Sequence, residues 1–529
     1  MSRRERVSAV DTAWLRMDRP GNLMMICGVL LFAQPITLAR LRRVVDERFL
    51  RFPRFRHYPV QTASGAYWER AEAFDLADHV RAVKLQRVGR AHALQALSSR
   101  LASTPLPQRR PLWQFDLVEH FEAGSALVIR IHHCYADGIA LIRVMLSMTD
   151  AAPNGPPAMP LPTRKAQRQH GAGDAPGWRA APVANAVQAA MRVGSTVIEK
   201  GVELWHDPAR ALALAQHGTA LTAEIAKLAL MPQDARTRFK GTPRGDKRVA
   251  WARPLPLHEV KTIGRALGAS VNDVVLACVT GALREYLVRK GDAVDGVTMR
   301  ALVPVNLRPP DQASRLGNEF GLVFLDLPIG MENPIARLYA LRANMRALKG
   351  SMQPVLALGL LAAMGAGPRV LQDQILQALA RNASAVVTNV PGPQQPLYLA
   401  GGRIESLMFW VPQSGNIAVG ASVLSYDGNV QFGLITDGAV CRDPERVVER
   451  FDCEFEQLVL ATLLAPWPWE GDLDPHAAEV AFATAAVARP AETRGLAAAA
   501  DRARRASSGR RAGKRSATRR PGRVSEPTT

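Results

Sequence analysis

"RIHHCYADGIAL", Arg130 to Leu141, places two histidines and an aspartate between two apolar stretches. Upstream, "ALVI" (Ala126 to Ile129) is a short β-prone run. Downstream, Ile139 to Met148 carries apolar residues at helical spacing, with Arg143 as its one charge. His132 to Gly138 is therefore a junction where a strand hands over to a helix, and Gly138 is expected to mark a tight turn. Ionisable groups at such a place are costly unless something uses or satisfies them.

Working outward, 529 residues are too many for one ordinary core, and 47% hydrophobic with 22% charged residues is a globular composition. The five cysteines are odd in number and scattered, which argues against a disulfide framework or zinc cluster and fits a reducing compartment. No segment reaches the roughly 20 apolar residues of a transmembrane helix. The nearest are Leu23 to Ala33 and Val355 to Gly367. The first follows "MSRRER" as a signal-peptide core would, but Asp11, Asp18 and Pro20 intervene, so a buried strand is expected there. The net charge of +20 is uneven: from Arg489 onward there are 12 Lys and Arg against 3 Asp and Glu, a net +9 without apolar periodicity. Residues 471–529 read as an Ala-rich, basic, disordered tail.

The organisation predicted is α/β, with two domains, each a mixed sheet with flanking helices. Residues 1–150 form the first and 247–470 the second; 151–246 is a crossover linker, Pro/Gly-rich and then helical. In the linker, Val187, Met191, Ile198, Val202 and Trp205 share one helical face. Asp207 followed by Pro208 opens another helix, with a stripe through Leu214, Leu221, Ile225 and Leu228. In the second domain the spacing predicts a short helix stopped by Gly268, then a longer one capped by Ser270 and ended by Gly291. "SYDGN" between two alternating runs signals a hairpin, and Pro444 to Leu464 an amphipathic helix.

From residue types alone, the junction histidines admit three roles. They could be metal ligands, but the other nine histidines show no spacing that would complete a site. They could be buried structural groups. Or one imidazole, presented at a strand end with a carboxylate holding the loop, could abstract a proton from an alcohol.

H-H-x-x-x-D-G resembles the signature of the coenzyme A-dependent acyltransferase superfamily, which includes chloramphenicol and carnitine acyltransferases and the condensation domains of peptide synthetases. The chain is most similar to its bacterial wax ester synthase/diacylglycerol acyltransferases. "VSAVDTAWLRMD", "RRPLWQFDLVEHFEAGSALVIRIHHCYADG", "LGASVNDVVLACVTGALREYL", "ALVPVNLRP", "LGNEFG" and "VVTNVPGP" resemble that family's blocks in order, over roughly residues 7–465.

The resemblance implies that His133 is the general base and that His132 shapes the turn. Asp137, beside Gly138, would point away from substrate and pair with an arginine, for which Arg308 is the first candidate, with Arg130 or another arginine as the alternative. Asn272 and Asp273 are either helix caps or, with the helix N-terminus, a support for the reacting thioester. Pro111, Leu112 and Trp113 are expected in the core; Gly317 and Asn318 are candidates to line the channel, which the sequence does not decide. The implied reaction moves a long-chain acyl group from acyl-CoA, as co-substrate, to diacylglycerol or a fatty alcohol. His133 takes the hydroxyl proton and returns it to the departing thiolate, without metal, cofactor or acyl-enzyme. A cytoplasmic enzyme on the inner membrane or lipid inclusions is expected, with nucleic acid not the partner. Another lipid alcohol as acceptor, or a non-catalytic lipid-inclusion protein, are the alternatives.

Overall fold

Two mixed sheets meet over the Arg130–Leu141 junction. The computed structural model describes residues 5–62, 65–85, 90–153, 155–159, 231–308, 316–349, 351 and 353–464. The helical stripes expected between Val187 and Leu228, and the basic tail, lie outside the described residues.

The first sheet runs Tyr398–Leu399, Gly402–Trp410, Met25–Phe32, Gly124–His132, Trp113–Phe121, Val80–Ala82. Gly124–His132 lies inside it and is buried at every position. Leu127, Ile129 and Ile131 enter one apolar cluster, Ala126 and Val128 another on the opposite face. A strand covered on both faces is apolar throughout rather than alternating, which is why "ALVI" reads as a continuous run. Met25–Phe32 is the buried strand expected from its sequence, paired antiparallel to Gly124–His132 with Met25 opposite His132.

The second sheet runs Phe320–Leu327, Met299–Asn306, Ala385–Pro391, Val419–Tyr426, Asn429–Asp437, Lys247–Trp251, with Leu255–Pro256 also on Asn429–Asp437. Its helices follow the capping signals: Val271–Arg289 starts at Ser270 in a reciprocal capping box with Asp273. The hairpin turns at Asp427 and Gly428, both at positive φ as a two-residue hairpin turn requires.

The expected domain range 247–470 needs one correction. Its residues 398–410 leave the second sheet and complete the first, Gly402–Trp410 pairing with Met25–Phe32. Without that strand Met25–Phe32 would present an open apolar edge. The halves are thus laced together, and residues 1–463 form one compact unit. Lys247 adds a polar tie: its buried ammonium donates to Asn22 Oδ1 at 2.5 Å and Gln413 Oε1 at 3.2 Å.

The helix Ala9–Met17, capped by Ser8, lies against the helix Gln353–Ala366. The contact is close because Gly365 has no side chain: a Cβ there would run into the Ala9 carbonyl. Ala13, Trp14 and Met17 pack with Phe320, Leu361 and Met364 in the same cluster. The apolar run Val355 to Gly367 is thus a packed helix, and no single described helix is long and apolar enough to cross a membrane. Gly365→Ala should therefore cost about 1–3 kcal/mol, the usual penalty for overpacking, read as a lower urea midpoint. Activity should fall with it, because the displaced helix carries Trp14.

Candidate active site

The strand ladder continues one residue past His132, since His133 N–H donates to Met24 O at 2.8 Å. The chain then turns through Cys134, Tyr135 and Ala136, all fully buried, and enters the helix Gly138–Met148. Asp137 is the N-cap: its Oδ1 accepts from Ala140 N–H at 2.9 Å. Gly138 is the first helical residue, at ordinary φ, with open space where a Cβ would sit. The tight-turn expectation for Gly138 is corrected accordingly. The turn is made by the buried residues before it, and glycine there leaves room rather than bending the chain.

Asp137 is satisfied a second time from the other half of the molecule. Arg308 Nη2 donates to its Oδ2 at 2.8 Å, and Glu319 N–H to the same oxygen at 3.1 Å. Arg308 Nη2 also donates to Gly317 O at 2.8 Å, and Asp137 N–H to that same carbonyl at 3.1 Å. Both ions are almost wholly buried, with side chains 1% and 6% exposed for Arg308 and Asp137. Arg130, the other candidate partner, is occupied elsewhere. It donates to Leu101 O and Thr104 O, bonds Gln114, and lies 3.6 Å from Asp116.

His132 is fixed inside the turn. Its Nδ1 accepts from Cys134 N–H at 3.1 Å, which leaves the proton on Nε2, facing Asp18 at 3.7 Å. His133 is held differently. Its imidazole stacks on Trp14, centroids 4.1 Å apart and planes 20° from parallel, with Phe320 at 5.7 Å. Its carbonyl accepts from Asn318 Nδ2 at 2.8 Å, and the same amide donates to buried Asp11 at 2.7 Å. Burial, helped by neighbouring His132, pulls the His133 imidazole down to about 3, while burial pushes the Asp11 carboxyl up. Both shifts favour the uncharged form of the group concerned.

The remaining residues divide. Asp273 spends its carboxylate on Ser270, through the backbone N–H at 2.8 Å and the hydroxyl at 2.7 Å, so its role is the cap. Asn272 Oδ1 accepts from Asn389 Nδ2 at 2.6 Å. Among the described residues no hydrogen bond joins Asn272 to the His133 turn. Pro111 to Trp113 are structural: Leu112 O accepts from His132 N–H at 2.9 Å, and Trp113 Nε1 donates to Phe55 O at 2.8 Å. The sequence assigns no role to Trp14 or Asp11 and marks Asn318 only as a candidate channel residue. Only the similarity of "DTAW" and "LGNEFG" to family blocks hinted that those stretches approach the site. Among the described residues no three His, Cys, Asp or Glu side chains gather as metal ligands.

Two α/β halves closing over one histidine, with the aspartate of its loop tied across the seam, define a coenzyme A-dependent acyltransferase. Within that class the chain belongs to the wax ester synthase/diacylglycerol acyltransferase family. The family's catalytic-domain model matches residues 7–275, and its C-terminal-domain model residues 316–459. A Mycobacterium tuberculosis protein named as a diacylglycerol O-acyltransferase is 28% identical over 398 residues, covering 74% of this chain and 81% of its own. A second, from Mycobacterium bovis, is 29% identical over 461 residues, covering 81% and 85%. The structure of the wax ester synthase/diacylglycerol acyltransferase from Marinobacter aquaeolei superposes with a TM-score of 0.61 at 21% identity, covering 87% of this chain and 100% of that one. The starter condensation domain of rhizomide synthetase has the same fold at 16% identity, TM-score 0.52, covering 90% and 98%. The chain is accordingly an acyl-CoA-dependent O-acyltransferase.

Asp137→Ala should strand the Arg308 cation and cost about 3–5 kcal/mol, seen as a lower melting temperature together with lost turnover. Arg308→Ala should behave alike. Wild-type stability in either variant would show that the pair is not the joint between the halves.

Proposed function

We propose that His133 is the general base, that the acyl donor is a long-chain acyl-CoA, and that the acceptor is diacylglycerol or a fatty alcohol. The observation that carries the reading is the placement of His133: it is buried where the strand Gly124–His132 ends and, among the described residues, takes part in no ion pair, while burial favours its uncharged form. The acceptor hydroxyl gives its proton to the imidazole as its oxygen attacks the thioester carbonyl. The same imidazole then protonates the departing thiolate. No acyl-enzyme, metal or cofactor is required, because the thioester arrives activated. The family match supports the donor, and the names carried by the mycobacterial relatives support diacylglycerol as acceptor.

His133→Ala should lower kcat/KM roughly 10²–10⁴-fold with folding intact, and His132→Ala should lower it less. Radiolabelled acyl-CoA offered with diacylglycerol and fatty alcohol side by side would measure both and rank the acceptors. A base is active when deprotonated, so a lowered His133 pKa extends the active range toward acid. The kcat/KM profile should show no inflection near 6.5, the ordinary histidine value; an inflection there would mean a solvated, titrating imidazole. EDTA should leave activity unchanged.

Substrates this apolar collect in membranes and lipid inclusions, and we place the enzyme peripherally on such a surface in the cytoplasm. The net +9 of residues 489–529 supports attraction to anionic head groups, each basic residue near the surface adding about 1 kcal/mol. Removing those residues should spare turnover on detergent-dispersed substrate and weaken binding to anionic vesicles, most at low salt. Equal vesicle binding by truncated and full-length protein would assign surface attachment to the body instead.

A further inference from the structure

General-base catalysis by His133, the reading on which this inference rests, creates a cation where the structure offers it little help. The imidazole is buried, and burial already disfavours its charged form. The charged and titratable groups around it are committed elsewhere. Asp137 and Glu319 face Arg308, Asp18 faces His132, and Asp11 carries the amide of Asn318. Among the described residues none of the ion pairs includes His133.

The one group laid flat against the ring is Trp14, with centroids 4.1 Å apart and an interplanar angle of 20°. A face-on indole is the aromatic surface with the strongest attraction for a cation, and the attraction grows where water is excluded. Trp14 is itself buried, 6% exposed, and among the described residues its Nε1–H has no hydrogen-bond partner. A buried tryptophan ordinarily finds a partner for that N–H, so hydrogen bonding to the described residues does not account for an indole at this position. Its place is fixed from behind by Gly365, whose missing side chain lets the Trp14 helix seat closely on its neighbour.

We propose that Trp14 is a positioning residue for the base: its indole face holds the His133 ring in plane and stabilises the imidazolium that forms as the acceptor hydroxyl is deprotonated. The contribution falls on the transition state, where the charge develops, and little of it on substrate binding. It should therefore act on kcat rather than KM.

The test compares Trp14→Phe, which keeps a smaller π face, with Trp14→Leu, which removes the face and keeps the apolar contact. Trp14→Met serves as a second ring-free variant if Trp14→Leu does not fold. Melting temperature, kcat, and KM for acyl-CoA and for the alcohol are measured for each, with His133→Ala alongside. The ring-free variant should lose roughly 10- to 30-fold in kcat with both KM values within about twofold, and Trp14→Phe should recover most of the loss. A ring-free variant with full kcat overturns the proposal. So does a fall in kcat that tracks melting temperature across the variants, or failure of both ring-free variants to fold while Trp14→Phe does; either makes Trp14 a packing residue. His133→Ala separates the two readings. An active His133→Ala removes the base and the proposal with it, whereas an inactive one beside a fully active Trp14→Leu keeps the base and removes Trp14.

Discussion

Asp137 does three things at one point in the chain, and the site depends on their coincidence. It caps the helix Gly138–Met148, it neutralises Arg308, and it receives the backbone N–H of Glu319. The cap belongs to the first half of the molecule, and the other two bonds reach the second. Burying a carboxylate and a guanidinium is expensive, and only a fully hydrogen-bonded geometry offsets it. That geometry exists only when the two halves are docked, so the loop presenting His133 is ordered by the same contact that joins the sheets. With its aspartate so engaged, His133 has no ion-pair partner among the described residues. An imidazole paired with a carboxylate would be the more basic and would hold its proton. Burial beside Trp14 and Phe320 favours the uncharged ring instead.

The strand Gly402–Trp410 and the ammonium of Lys247 reinforce the docking by different means. The strand supplies backbone hydrogen bonds to Met25–Phe32, so the ladder that leads into His133 is backed by chain from the second half. Lys247 bonds Asn22 of the first half and Gln413 of the second, and a buried cation tolerates few alternative arrangements. The asymmetry follows: the second half contributes few groups to the His133 ring itself, yet it sets where the ring can be.

Much of this was legible in the sequence, and the boundary of legibility is physical. The junction at His132–Gly138 announces itself because ionisable residues interrupt two apolar runs. Ser270, Gly291 and the Asp427–Gly428 turn follow from local backbone demands that only certain residues meet. Gly138 shows the limit of such reasoning. A glycine after an aspartate looks like a turn, yet here it is an ordinary helical residue whose missing side chain leaves space. Gly402–Trp410 was illegible as a member of the first sheet because strand propensity carries no information about which of two distant sheets receives the strand. The choice of Arg308 over Arg130 is equally non-local: both are arginines in apolar surroundings, and only the fold shows which one faces Asp137.

The family signature names one histidine and one aspartate, but the structure divides the labour more widely. Asn318 spans Asp11 and the His133 carbonyl, fixing the backbone from which the imidazole hangs, while Trp14 covers the ring. Both Asp11 and Trp14 sit in one short helix near the start of the chain, three residues apart and hence on one face. That helix is seated by Gly365, far along the chain, so His133 is packed by segments distant from it in sequence on both sides. Such enclosure suits transfer to an alcohol. Acyl transfer to an alcohol competes with hydrolysis, and a general base open to solvent would activate water as well as the intended hydroxyl. On the proposed mechanism, surrounding the imidazole with indole and phenyl rings limits the access of water to it, at the expense of basicity.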